Sequence, residues 1–302
     1  MWRALVLLCL CALPASWLAA QTPGSTPAPL LMPESRLPAK LSVPVFGQNI
    51  AFYDTGSGPV VVLVHGFGSE ARFDWGNVIP PLAEHHRVIA LDQIGFGASD
   101  KPFVDYSIQT YVDFLGEFLR TLKIHEFTLA GESLGGWISA LYTIESLAPE
   151  NTGPHALPKP RRLILEDAAG MSPLSSSPIP IAGTLADARG VAIVFHDKSR
   201  VTEEFVRENW AMKLKANDGF TQRSLRGNAN TAKEVVSGRL GKITIPTLVV
   251  WGGSDELVPL AQGHAYAEGI PGARLAIIPE CGHGPSIEKP GEFLALVIPF
   301  LD

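Results

Sequence analysis

The chain has 302 residues, 46% of them hydrophobic and 18% charged, with 29 Gly, 25 Pro and only 3 Cys. There is apolar side chain enough for a sizeable core and too little sulfur for a framework, which excludes disordered, collagen-like and disulfide-stapled chains. A net charge of -6 without any clustered Lys/Arg run argues against nucleic acid as a partner, since phosphate binding needs a concentrated positive field.

Met1-Trp2-Arg3 and the apolar run Ala4 to Leu13 have the form of a secretory leader, with Leu18-Ala19-Ala20 as a small-residue cleavage site. Residues 1–20 are therefore expected to be a signal peptide and the protein to be exported, periplasmic or extracellular. An uncleaved anchor is the alternative, but the run falls short of the roughly 20 apolar residues that a span needs. No stable membrane span is expected once the leader is gone. Cys9 and Cys11 leave with it, and Cys281 is expected to be a packed thiol. Residues 21–40, with Pro at 23, 27, 29, 33 and 38, read as a solvated, proline-rich tether ahead of a catalytic domain over 41–302.

From Val43 onward, apolar runs alternate with helical patterns. Val43 to Phe46 and Gln48 to Tyr53 predict a hairpin. Val60 to Val64, Val88 to Leu91, Phe127 to Ala130, Leu163 to Leu165, Thr247 to Trp251 and Leu275 to Ile278 predict strands, most of them buried on both faces. Ile108 to Leu122 carries an apolar face of Tyr111, Val112, Leu115, Phe118, Leu119 and Leu122. Such alternation predicts an α/β fold, a mostly parallel sheet with helices on both faces. Residues 171–245 break the pattern with a Ser/Pro-rich lead, Ser175 to Pro178, and helical segments, one of them capped by Thr202 with Phe205, Val206, Trp210 and Leu214 on its apolar side. An insertion of about 70 residues is too long for a plain loop and predicts a helical lid.

Gly131-Glu132-Ser133-Leu134-Gly135-Gly136 lies between a strand and a helix-like run. That placement makes it a nucleophile elbow, in which two glycines let backbones crowd a sharp turn and the serine hydroxyl stands clear. A serine needs a base and a carboxylate. His283, in a Gly-His-Gly turn after the last strand, is the candidate base; His85, His86, His125, His155, His196 and His264 read as solvated surface, and His65 as a brace for its loop. Asp255, Glu166 and Asp167 all follow strands, and Asp255 is favoured because it gives the chain order Ser, Asp, His. The backbone amides of Leu134 and Phe67 are the expected oxyanion donors. Trp210 and Phe195 are candidate substrate contacts in the lid.

His65-Gly66-Phe67-Gly68, Asp92 to Ser99, Gly131 to Gly136, Trp251 to Asp255 with Pro259, and Gly282-His283 with Glu288 and Pro290 together resemble the successive signatures of the α/β-hydrolase superfamily. The likeness runs from about Ile50 to Leu301 and is to the lidded branch of esterases, non-haem haloperoxidases and C–C bond hydrolases. It implies an eight-stranded sheet, a helical lid between strands six and seven, and an acyl-serine mechanism with Ser133 as nucleophile, His283 as base and Asp255 as its orienter. It also implies that the Asp92 to Ser99 turn is structural. Ser133 stands where dehalogenases and epoxide hydrolases carry Asp, and Gly284 where ring-cleavage C–C hydrolases commonly carry Trp. No His/Cys cluster has metal-ligand spacing, so neither a metal nor a cofactor is expected. The expected substrate is a small carboxylic ester or other carbonyl compound. A C–C hydrolase of diketone substrates and a non-catalytic binding protein on the same fold are the alternatives.

Overall fold

Alternate residues of each central strand face opposite sides of the sheet, so strands made almost wholly of Val, Leu and Ile require apolar cover on both faces. The computed structural model describes residues 29–174 and 181–302. The leader, the start of the proline-rich segment and the Ser/Pro-rich lead of the insertion lie outside them. The strands are β1 (Leu41–Val45), β2 (Gln48–Thr55), β3 (Val60–Val64), β4 (Arg87–Leu91), β5 (Thr128–Glu132), β6 (Arg162–Glu166), β7 (Thr247–Gly252) and β8 (Arg274–Ile278). They form one eight-stranded sheet in the order β1-β2-β4-β3-β5-β6-β7-β8. β1 and β2 pair antiparallel, as do β2 and β4, and every other pairing is parallel. The fold is the expected α/β hydrolase architecture.

The helices are α1 (Ala71–Trp75), α2 (Ile79–Leu82), α3 (Ile108–Thr121), α4 (Leu134–Ser146), α5 (Leu185–Ala188), α6 (Glu203–Ala216), α7 (Gly219–Gly227), α8 (Leu260–Gly269), α9 (Pro285–Glu288) and α10 (Pro290–Leu301). Val62, Val64, Leu129, Leu163 and Val249 bury against α3, α4 and α8. Their neighbours Val61, Leu63, Ala130, Ile164 and Leu248 bury against α1, α2 and α10. Cys281 packs in this second layer, as a free thiol among the described residues. Ser107 caps α3 in a capping box with Thr110, and Thr202 caps α6 by accepting the amide of Phe205 at 3.2 Å.

Helices α5, α6 and α7 lie between β6 and β7, over the carboxyl ends of the strands, where open α/β sheets place their sites. Two expectations change. Leu30 and Leu31, expected within a solvated tether, are buried with Phe73, Phe195, Phe205 and Ile287, because two adjacent leucines gain more from that apolar cluster than from water, while residues 33–36 are exposed. His86 is buried rather than on the surface. Among the described residues, no helix is long and apolar enough to cross a membrane.

Candidate active site

Chain direction places the chemistry. β5 ends at Glu132 and α4 begins at Leu134, so Ser133 must reverse the backbone in one residue; it does so with φ 51° and ψ -114°. A side chain on Gly131 would strike Gly135 O at 2.2 Å, and one on Gly135 would strike Val64 O at 2.1 Å, which is why neither position takes a side chain. The elbow is pinned from β6: Ser133 N donates to Glu166 O at 2.9 Å, and Ser133 O accepts from Ala169 N at 2.9 Å.

His283 follows β8 and Asp255 follows β7, and the parallel pairing of those strands brings the two loops side by side. His283 Nδ1 lies 2.8 Å from Asp255 Oδ2, while Asp255 Oδ1 accepts the amides of Leu257 and Val258 at 2.7 and 3.0 Å. Asp167, the rival carboxylate, points elsewhere. Its Oδ1 accepts Gly252 N at 2.8 Å and its Oδ2 accepts Gly284 N at 2.7 Å. Glu166 accepts Ser286 N at 2.6 Å. Asp167, Asp255 and His283 have the donor types of a metal site and lie within 4.8 Å of one another. Their atoms are already bonded to amides or to each other, which does not fit a metal ion.

On the other side of Ser133, the turn after β3 carries Gly66 and Phe67. Asp74 shapes it by accepting Gly66 N at 2.6 Å and the Ser69 hydroxyl at 2.5 Å. His65 braces the loop as expected: Nε2 accepts Gln93 N at 2.9 Å and Nδ1 lies 2.8 Å from Gly66 O. Burial holds its pKa below the ordinary histidine value, in keeping with a neutral ring. Asp92 accepts the amides of Ala71 and Ala98, consistent with a structural turn. Phe67 and Leu134 both face the cavity, and neither amide has a protein acceptor among the described hydrogen bonds.

Sequence reasoning missed Glu132. It is buried, and its Oε1 lies 3.0 Å from His283 Nε2, the nitrogen turned away from Asp255. Burial and then the Asp74 carboxylate push the Glu132 carboxyl up to about 8. Burial opposes charge on His283, but Asp255 and Glu132 on its two nitrogens outweigh that and hold its pKa well above the ordinary value. Burial and then Glu132 raise Glu166, while burial and then Asp255 raise Asp167, both well above the carboxylate range. A glutamate closing a fully buried strand is the sequence signal that marks such a group.

The cavity above these residues has a volume of about 480 Å³, with Phe67, Phe73, Trp137, Val194 and Leu257 among its apolar walls. The two lid residues expected to line it do not. Phe195 is turned into the cluster with Phe73 and Phe205. On α6 the cavity is met by Asn209, Lys213 and Leu214; Trp210, one turn before Leu214 on the same side of the helix, is not among its lining residues. Leu214, expected on the apolar side, is exposed at the cavity, and Asn209 and Met212 are buried instead.

A family model described as "Alpha/beta hydrolase family" matches residues 61–296. The 2-hydroxy-6-oxo-6-(2'-aminophenyl)hexa-2,4-dienoic acid hydrolase of Metapseudomonas resinovorans is 28% identical over 285 residues, covering 84% of this chain and 88% of its own. Among solved structures, a meta-cleavage product hydrolase from Pseudomonas fluorescens superposes with a TM-score of 0.76 at 25% identity, covering 86% of this chain and 96% of that one. An esterase from Exiguobacterium antarcticum does so with a TM-score of 0.71 at 25% identity, covering 86% and 98%.

Proposed function

The chain belongs to the alpha/beta hydrolase family, and from that premise we propose that it is an exported serine hydrolase that cleaves a carboxylic ester through an acyl-serine intermediate. The observation that carries the reading is a serine in a strained elbow at the floor of a cavity, beside a histidine whose Nδ1 is held 2.8 Å from Asp255. In this mechanism Asp255 fixes the tautomer, so that Nε2 accepts the Ser133 proton as Oγ attacks the carbonyl carbon. The Phe67 and Leu134 amides take the developing oxyanion, and the imidazolium returns its proton to the leaving alcohol. Water, activated by the same nitrogen, then releases the acid. Apolar cavity walls support an acyl chain or aromatic group as the bound portion.

A second reading, hydrolysis of a C–C bond beside a carbonyl, is favoured by the names of the relatives, whose substrates are dienoic acids. Lys213 and Arg223 on the cavity wall offer cations to such a carboxylate. Two measurements separate the readings. Fluorophosphonate labelling lost in Ser133→Ala supports the nucleophile, and unchanged labelling sinks it. Turnover of p-nitrophenyl esters without turnover of a vinylogous 1,5-diketone acid supports the esterase, and the reverse pattern the C–C hydrolase. Export is tested by the amino terminus of the mature protein recovered outside the cytoplasm.

A further inference from the structure

The acyl-transfer steps leave Glu132 without a role, although it touches the one atom through which every proton must pass. We propose that Glu132 is a further acid–base residue of the reaction, whose carboxyl competes with the Ser133 hydroxyl for His283 Nε2, so that hydrolysis proceeds only after the proton shared by Glu132 and His283 has been released. This rests on the assignment of Ser133, His283 and Asp255 above.

An imidazole nitrogen either carries one hydrogen or accepts one. Asp255 occupies Nδ1 at 2.8 Å, which leaves Nε2, and Glu132 Oε1 stands 3.0 Å from it. None of the described hydrogen bonds joins Nε2 to Ser133 Oγ. The other Glu132 oxygen is wedged against the turn after β3, where a side-chain carbon built on Gly66 would lie 2.1 Å from Oε2. The titratable groups around Glu132 are Asp74 from α1, Glu166 at the end of β6, and His283, with Asp255 and Asp167 behind the imidazole. His65, in the turn after β3, has both ring nitrogens engaged by backbone. The acids among these neighbours compete for protons, Asp74 also hydrogen-bonding the Glu132 carboxyl, and the imidazole is the base with which Glu132 Oε1 shares one.

That proton has two placements, on Oε1 with Nε2 accepting, or on Nε2 as an imidazolium beside a carboxylate. Neither leaves Nε2 able to take a proton from Ser133. Release of the proton to solvent gives the Glu132 carboxylate and a neutral imidazole. Oγ–H then donates to Nε2, Oγ bonds to the carbonyl carbon, and the proton passes to Nε2 and on to the leaving oxygen. During that transfer the imidazolium lies between two carboxylates. Glu132 therefore suppresses turnover on the acid side and stabilises the cationic intermediate on the alkaline side.

The test is the pH dependence of fluorophosphonate labelling rate in the wild type and Glu132→Gln, together with the ¹⁵N-imidazole titration of His283 in a Ser133→Ala background, assigned by its loss in His283→Asn. The acid limb of the wild type is expected to centre above about pH 7, and both readouts are expected to fall by about one pH unit or more in Glu132→Gln, a tenfold loss of proton affinity. Should the amide prevent folding, Glu132→Met, apolar and similar in volume, is read in the same way. Coincident midpoints in wild type and variant, with Ser133 labelled in both, overturn the proposal alone. No labelling at any pH overturns the serine-hydrolase reading and the proposal with it, whatever the ¹⁵N titration reports.

Discussion

Asp167 Oδ2 accepts the amide of Gly284 at 2.7 Å while its Oδ1 accepts that of Gly252 at 2.8 Å. One buried side chain at the end of β6 thus ties the loop that carries Asp255 to the loop that carries His283. Asp255 supplies the carboxylate on Nδ1, and Asp167 keeps the two loops at the spacing that this contact requires.

The two acids should separate on mutation. Asp255→Asn is expected to lower kcat by about 10⁴-fold, because the wrong tautomer of His283 is then favoured. Asp167→Asn exchanges one accepted amide for an N–H facing an N–H, and is expected to lower kcat by about 10- to 100-fold with little change in KM. Steady-state kinetics on a p-nitrophenyl ester checks both. If the loss in Asp167→Asn equals that in Asp255→Asn, the assignment of Asp255 as the orienting acid is wrong.

Much of this arrangement was legible in the chain because strand order and motif order are both one-dimensional. The β-branched runs Val60 to Val64 and Thr247 to Trp251 lie within one residue of β3 and β7, and the Gly-x-Ser-x-Gly turn falls between β5 and α4. Asp255 and His283 could be paired from their places after β7 and β8, since parallel neighbours end side by side. Lid residues were not legible in the same way. Their direction depends on how the insertion packs against Phe73 and Leu31, so aromatic character alone does not place Trp210 or Phe195, and Asn209 and Lys213 meet the cavity instead. Leu30 and Leu31 were hidden for a related reason, since the prolines around them are as compatible with a packed extended segment as with a solvated one.

Glu166 makes stability depend on pH. Burial and the neighbouring Glu132 raise its folded pKa above its unfolded value near 4.5, and its Oε2 is buried without a hydrogen-bond partner among the described residues. A raised folded pKa means that the unfolded carboxyl ionises first, so the contribution is full below the unfolded value and is lost as pH rises towards the folded one. Glu166→Gln cannot ionise. Its melting temperature is expected to match the wild type below about pH 4, where the unfolded carboxyl is protonated, and to exceed it increasingly as pH rises above that. A scanning-fluorimetry series from about pH 4 into the alkaline range decides it, and a constant difference at all pH values argues against an ionisable origin.

Gly66 leaves room for the Glu132 carboxyl. A side-chain carbon there would meet Glu132 Oε2 at 2.1 Å and Ser133 Cβ at 3.1 Å, so either the carboxyl or the turn after β3 must move. Gly66→Ala is expected to lower kcat by about 100-fold or more, the cost typical of a displaced oxyanion donor, while the fold is kept. Circular dichroism and the same kinetic assay test this. In combination with Glu132→Gly, which vacates the clashing position, part of the lost rate should return if the carboxyl is what the new methyl displaces.

The insertion is stitched to the turn that carries His283 by Glu288. Its Oε2 accepts Gly282 N at 2.7 Å and His196 N at 3.1 Å, its Oε1 accepts Asp197 N at 2.8 Å, and His283 N donates to Val194 O at 2.6 Å. The segment 194–197 of the insertion and the Gly282-His283 turn therefore share one buried acceptor, and loosening it frees both at once. Glu288→Gln replaces an accepting oxygen with a donor among three amides, at a cost of about 1.5–3 kcal/mol for the charged hydrogen bonds weakened. The expected result is faster proteolytic cleavage within the insertion and a several-fold higher KM, with kcat falling as His283 loses its fixed place. Limited proteolysis in parallel with ester kinetics measures both, and a rise in KM without increased cleavage would show that Glu288 acts on the substrate pocket and not on the docking of the insertion.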